Sequence, residues 1–274
     1  MESEVRVITK LSEIIKIRKG EVISIAGAGG KTTLMFTLAK ELRSRGNVLV
    51  TTTTKIYLPQ HKDYDGLIIK DGLKNNSEVN KTILTTKLGI HVYGSSINEE
   101  GKLLGIDDRD LINEGLNYDY TLIEADGAKR KQVKGWNSNE PVISALTTIT
   151  IGVLSGEALK LPANSSNVHR LKEFEELTLA KEGDIINEGN IISLIFNKSG
   201  LFKNSQGKKI LFINKIDDNK LDGIEGLLKR IIDKNKECKL LDEIIIGSLL
   251  KKEYKSVTLG RNKVDKWNNY GLWT

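Results

Sequence analysis

Residues 22–50 constrain the fold of this chain most. Val22-Ile23-Ser24-Ile25-Ala26 is an apolar run of strand length, glycines follow it at once, and then the apolar period changes. Leu34, Met35, Leu38, Ala39 and Leu42 recur at helical spacing, Gly46 closes that helix, and Val48-Leu49-Val50 opens a second strand. A strand apolar on both faces, then a helix, then another such strand is the repeating unit of a parallel sheet, because each crossover lays its helix over a face. Further buried strands are expected at 121–123, 149–154, 210–213 and 244–246. Ile224, Leu227, Leu228, Ile231 and Ile232 mark an amphipathic helix. The expected fold is therefore α/β and P-loop NTPase-like, a mostly parallel sheet with helices on both faces. It is read as one domain over 1–274, with 218–274 a C-terminal helix–strand extension of it. Residues 60–119 have a weak hydrophobic period and take no assignment.

The composition narrows the function classes. With 39% apolar and 28% charged residues, the chain is neither disordered nor a disulfide scaffold. Its net charge of +6 is spread among 42 basic and 36 acidic side chains, which suggests mild attraction for anions and not a nucleic-acid footprint. Cys238 is the only cysteine, so neither an internal disulfide nor a cysteine set for zinc or iron–sulfur ligation is available. Acids at Glu2 and Glu4 stand where a secretory signal needs bases, and no apolar run approaches the ~20 residues that cross a bilayer. A cytoplasmic protein that binds no nucleic acid and no membrane is expected.

Gly27-Ala28-Gly29-Gly30-Lys31-Thr32-Thr33 lies between the first strand and its helix, where backbone N–H groups and the helix N-terminus converge. Glycines let the backbone wrap an anion, Lys31 can reach the terminal phosphates, and the Thr32 hydroxyl is placed to ligate Mg²⁺. The strict G-x-x-x-x-G-K-[ST] pattern fails, because Ile25 occupies the first glycine's position. The loop is a shortened variant that resembles the G-x-x-G-K-T-T loop of the Mur ligases.

Two carboxylates end the strand at 121–123, Glu124 and Asp126, and period-two alternation puts them on one side. Carboxylates at the C-terminal end of a strand lie near the ligand crevice. Asp126 is expected to hold Mg²⁺ and Glu124 to orient a water, with Lys31 completing the catalytic set. Thr51-Thr52-Thr53-Thr54-Lys55 closes the second strand, and Thr52 and Lys55 are candidates to face the same anion. Ala128-Lys129-Arg130-Lys131-Gln132-Val133-Lys134 leaves the same edge with four cations in seven residues, so Lys129 and Arg130 could clamp phosphates or an acidic substrate. Arg170, before a helix beginning at Leu171, could stabilise charge on a transferring phosphoryl group. Asn214-Lys215-Ile216-Asp217 follows a buried strand in the N-K-x-D pattern by which many GTPases read guanine. The same pattern recurs at Asn262-Lys263-Val264-Asp265 with no such strand before it. ATP and GTP both stay open.

Taken in order, the glycine loop, Thr51 to Lys55, Glu124 to Lys129, Glu140-Pro141-Val142-Ile143, Val168-His169-Arg170, Gly200-Leu201-Phe202-Lys203 and Asn214 to Asp217 resemble the YqeC family along most of residues 20–220. The chain departs from that pattern at Asn139 and Ser144, where the family is expected to carry a His and a second Pro. The resemblance implies an accessory protein in the maturation of selenium-dependent molybdenum hydroxylases, with a hydroxylase or its cofactor-maturation proteins as partners. With the loop and the acid pair, the leading expectation is Mg²⁺-dependent binding and hydrolysis of ATP or GTP. Two alternatives stand beside it. One is an ATP-dependent Mur-like ligase or small-molecule kinase, although the stretch after Asp217 falls short of the separate C-terminal domain such ligases normally add. The other is a non-catalytic, nucleotide-gated chaperone or scaffold.

Overall fold

Aliphatic and β-branched residues that are buried on both faces of their strands leave the chain one solution, a parallel sheet sealed between helices. The computed structural model describes residues 10–70, 88–115, 117–216, 223–257 and 259. After a short helix α1 (Leu11–Ile15), β1 (Glu21–Gly27) passes through the glycine loop into α2 (Lys31–Leu42) and on to β2 (Val48–Thr52). The region with the weak period holds β3 (Lys55–Tyr57), β4 (Gly66–Ile69), β5 (Ile90–Gly94), β6 (Lys102–Leu104) and α3 (Asp108–Gly115). Then come β7 (Tyr120–Glu124), β8 (Val133–Lys134), β9 (Ile149–Ser155), β10 (Val168–His169), α4 (Leu171–Thr178) and α5 (Glu188–Phe196). The last described elements are β11 (Lys208–Asn214), α6 (Glu225–Cys238), β12 (Glu243–Ser248) and β13 (Glu253–Val257).

Nine strands form one sheet in the order β13-β12-β11-β9-β1-β7-β2-β5-β4. Neighbours run parallel except at the edge, where β13 pairs antiparallel with β12. β2, β4, β5 and β7 lie to one side of β1, and β9, β11, β12 and β13 to the other. The winding thus reverses at β1, and in such sheets the crevice for a ligand opens beyond the carboxyl ends of the strands at that point.

One face of the sheet packs on α2, where Leu34, Met35, Leu38 and Leu42 meet Ile25 of β1, Leu122 of β7, Val153 of β9 and Phe212 of β11. On the other face, Leu154, Leu211 and Ile213 meet Phe174 of α4, Leu194 of α5 and Ile231 of α6. Farther along that sheet, Leu49, Ile68, Tyr93 and Ile123 pack with Leu111 of α3. Two residues beyond Val50, Leu122, Ile25, Val153 and Phe212, alternation puts Thr52, Glu124, Gly27, Ser155 and Asn214 on the α2 face at the carboxyl edge. That row frames the site.

The mostly parallel α/β sheet with helices on both faces matches the sequence reading. What that reading left blank has a physical cause. β5 is buried along its length yet carries His91 and Tyr93, so it lacks a continuous aliphatic signal. Among the described residues no helix is long and apolar enough to cross a membrane. Ile151 is fully buried in β9 between β1 and β11. Urea denaturation of Ile151→Ala should show a stability loss of about 2–5 kcal/mol, and a near-zero change would contradict its central place.

Candidate functional site

Gly27, Gly29 and Gly30 have φ of 106°, 88° and 135°, a region that side chains disfavour. Crowding adds a second reason for glycine. A Cβ on Gly27 would collide with the Val153 carbonyl, one on Gly30 with the Asn214 amide, and one on Gly29 would lie 2.6 Å from Ser155 Cβ. The loop therefore lies directly on the ends of β9 and β11. Ala28 N donates to Val153 O at 3.0 Å. Asn214 Nδ2 donates to Gly29 O at 2.7 Å, and its Oδ1 accepts from Leu249 N at 3.1 Å. α2 starts at Lys31 with Gly30 in the N-cap position, and no side chain caps it. Its first-turn amides, at the positive end of the helix dipole, are left to the crevice.

Below the loop runs a chain of alternating charges. Buried Lys31 donates to Gly27 O at 2.8 Å and lies 3.5 Å from Glu124 Oε1 and 3.3 Å from Asp126 Oδ1. Asp126, wholly buried, accepts from Gly27 N at 3.1 Å and from Trp136 Nε1 at 2.8 Å, and pairs with Lys134 Nζ at 3.0 Å. Lys134, also buried, donates to Gly127 O at 2.6 Å and pairs with Glu140 Oε2 at 2.7 Å. Glu140 in turn accepts from Arg170 Nε at 3.2 Å and Nη2 at 3.0 Å. The two-residue parallel pair β8–β10 sets Lys134 beside His169, which brings Arg170 to Glu140. The peptide bond Glu140–Pro141 is cis. At the other end of the chain, Thr32 Oγ1 donates to Glu124 Oε2 at 2.6 Å.

These surroundings pull the two strand-end carboxyls apart. Burial works to raise Asp126, but Lys31, Lys134 and the Gly27 and Trp136 N–H groups hold it below the usual carboxylate range. Burial pushes Glu124 up, and Lys31 and Thr32 only partly oppose it. Burial works to lower Lys31, yet Asp126 and Glu124 hold it above its ordinary value. Glu140 also lies low, because Lys134 and Arg170 outweigh its desolvation. His169 is pushed down to about 4 by burial and by the cations Lys134 and Arg170, so it is neutral at pH 7.

Lys31, Thr32, Glu124 and Asp126 thus meet at the glycine loop, and Asn214 ties that loop in place. Thr33 is exposed on the first turn of α2. Thr52 is buried, donates to Glu124 O at 2.7 Å and accepts from Thr54 N at 3.0 Å, so its hydroxyl serves the strand end. Lys55 is exposed on β3. Lys129 and Arg130 are exposed with φ of 46° and 60°, and the Arg130 guanidinium stacks 4.7 Å over the Tyr57 ring. Arg170 connects to the loop through Glu140, Lys134 and Asp126 in turn. Lys215 Nζ binds Gln132 Oε1 at 2.7 Å and Glu157 Oε2 at 3.2 Å. Asp217 and the second N-K-V-D copy lie outside the described residues.

The division of labour expected of the acids meets a different geometry. Asp126, expected at a metal, is enclosed by donors, whereas Glu124, expected at a water, shares a hydrogen bond with Thr32. Trp136 carries no sequence signal as a partner, and Glu140 stands out only as part of the Glu140-Pro141-Val142-Ile143 motif. No local signal separates Lys134 from the other cations of the basic loop; it is buried where β8 pairs with β10.

The YqeC family model, described as YqeC protein, matches residues 23–172, a span that contains the loop, the acid pair, Lys134, Glu140 and Arg170. The chain is 30% identical over 203 residues to the uncharacterized protein YqeC of Escherichia coli (strain K12), covering 72% of this chain and 77% of that protein. No solved structure matches.

Lys134→Ala leaves Asp126 and Glu140 without their shared cation, and urea denaturation should show a loss of about 3–5 kcal/mol. Acid should destabilise the protein through the same pair. Asp126 and Glu140 have lowered folded-state pKa values, so their contribution is present above their unfolded values and lost as pH falls through the folded ones. Stability measured from about pH 5 to pH 2 should therefore fall more steeply in wild type than in Asp126→Asn.

Proposed function

We propose that this chain, which belongs to the YqeC family, is a P-loop NTPase-like protein that binds ATP or GTP with Mg²⁺ at the glycine loop and hydrolyses it. The observation that carries the reading is the Thr32–Glu124 hydrogen bond beside Lys31, at the uncapped start of α2. A hydroxyl and a carboxylate that already share a proton are two oxygens that would share a cation, and Mg²⁺ is a hard cation that takes oxygen ligands from protein, phosphate and water alike. The charges suit the pair better than the nucleotide alone. Lys31 and Lys134 are balanced by Glu124 and Asp126, so a bare polyphosphate meets no net positive charge from these four, while its magnesium complex brings the missing cations.

Each residue then has a task. The amides at the start of α2 and the Lys31 ammonium bind phosphate oxygens, and Lys31 stabilises the charge that builds as a water oxygen bonds to the terminal phosphorus and the nucleoside diphosphate leaves, the water's proton passing to the inorganic phosphate formed. Thr32 and Glu124 are the residues that would hold a magnesium ion, which would supply charge neutralisation at the phosphates. Asp126 grips Gly27 N and Lys31 at once and keeps the loop and its cation in register. The family resemblance supports a place for this activity in the maturation of selenium-dependent molybdenum hydroxylases, with a hydroxylase or its maturation proteins as the partner.

Calorimetry with ATP and GTP, each with and without Mg²⁺, tests the reading. Binding should require Mg²⁺ and weaken roughly a hundred-fold in Lys31→Ala, the loss of charge-assisted bonds to phosphate. Glu124→Gln should lose the Mg²⁺ dependence while melting no lower than wild type at pH 7, because burial disfavours the charge it removes. Wild-type protein that binds neither nucleotide would end the proposal.

A further inference from the structure

The polar row on the α2 face at the carboxyl edge contains one member with nothing to do. Thr52 serves the Glu124 carbonyl, Glu124 serves Thr32 and Lys31, and Asn214 joins Gly29 to Leu249. Ser155, the register partner of Asn214, is 3% exposed, and its hydroxyl has no hydrogen-bond partner among the described residues. Buried polar groups are nearly always paired, because leaving one unpaired costs free energy. The other buried side-chain atoms without a partner belong to Ser12, Asn47, His91, Tyr118 and Tyr254, none of them on a strand beside β1.

The position of Ser155 says what it lacks. It ends β9, the strand next to β1 across the point where the winding reverses, and its Cβ lies 2.6 Å from where a Gly29 side chain would begin. The oxygens suited to a cation, on Thr32 and Glu124, lie toward β7, on the opposite side of β1. A hydroxyl toward β9, under a glycine loop and near an uncapped helix start, is placed as a donor to an anion.

We propose that Ser155 is a further phosphate-binding residue, whose hydroxyl donates from the β9 side to an oxygen of the polyphosphate seated in the glycine loop. This rests on the nucleotide reading above. Lys31 and the α2 amides bind the anion from the helix side, and Ser155 closes it from the sheet.

The test pairs calorimetry of Mg²⁺–ATP and Mg²⁺–GTP with thermal unfolding of the ligand-free protein, in wild type, Ser155→Ala and Lys31→Ala. Ser155→Ala should bind roughly ten-fold more weakly, the size of one hydrogen bond to a charged acceptor. Its ligand-free melting temperature should stay level or rise, since a buried polar atom without a partner has been removed. Ser155→Cys, similar in size but a weak donor, should also lose affinity. Unchanged affinity in Ser155→Ala alongside a large loss in Lys31→Ala overturns the role of Ser155 and leaves the nucleotide site standing. A lower ligand-free melting temperature in Ser155→Ala assigns the residue to the fold instead. No binding by wild type removes the nucleotide site and this inference together.

Discussion

Asp126 is the side chain on which the site depends. Its one carboxylate receives the loop through Gly27 N, the helix through Lys31, the following loop through Trp136 and the β8–β10 pair through Lys134. A buried carboxylate on its own would be expelled or protonated. This one stays ionised because two ammonium groups and two N–H donors replace the water it lost. The arrangement is self-consistent only as a whole. Lys31 and Lys134 are tolerated in the interior because Asp126 stands between them, and Lys134 is further neutralised by Glu140, which Arg170 also holds.

The contrast between the two strand-end acids follows from this. Both come from one strand end and both are buried, yet only Asp126 is filled with donors, so its charge is settled by the fold. Glu124 keeps the weaker set, one hydroxyl and a longer contact to Lys31, and burial pushes its carboxyl above the usual range. A site that must accept a cation benefits from such an acid. Charge left under-compensated by the protein is what an incoming ion can relieve, which places poor local stability where binding is proposed.

Much of this was legible in the chain because strong local signals coincide with the elements that build the site. The aliphatic runs of β1, β7, β9, β11 and β12, and the helical spacing in α2 and α6, mark residues that the core buries, where composition and periodicity speak plainly. The glycine loop and the acid pair sit at element ends, where few alternatives exist. The rest depended on tertiary contacts. Nothing local distinguishes Lys134 from Lys129, yet one is buried between two carboxylates and the other is exposed. Thr52 and Asn214 carried plausible ligand chemistry, but both spend hydrogen bonds on backbone groups of neighbouring segments. β5 was hidden by the His and Tyr in its buried run.

The shared grip on Asp126 also gives the site an optical voice. An indole whose N–H bonds to the same carboxylate as a glycine-loop amide has an emission sensitive to any shift of that carboxylate. Trp136 is nearly wholly buried, while Trp267 and Trp273 lie outside the described residues. A protein in which Trp136 is the sole fluorophore of its kind would report movement of the loop from within, without a label.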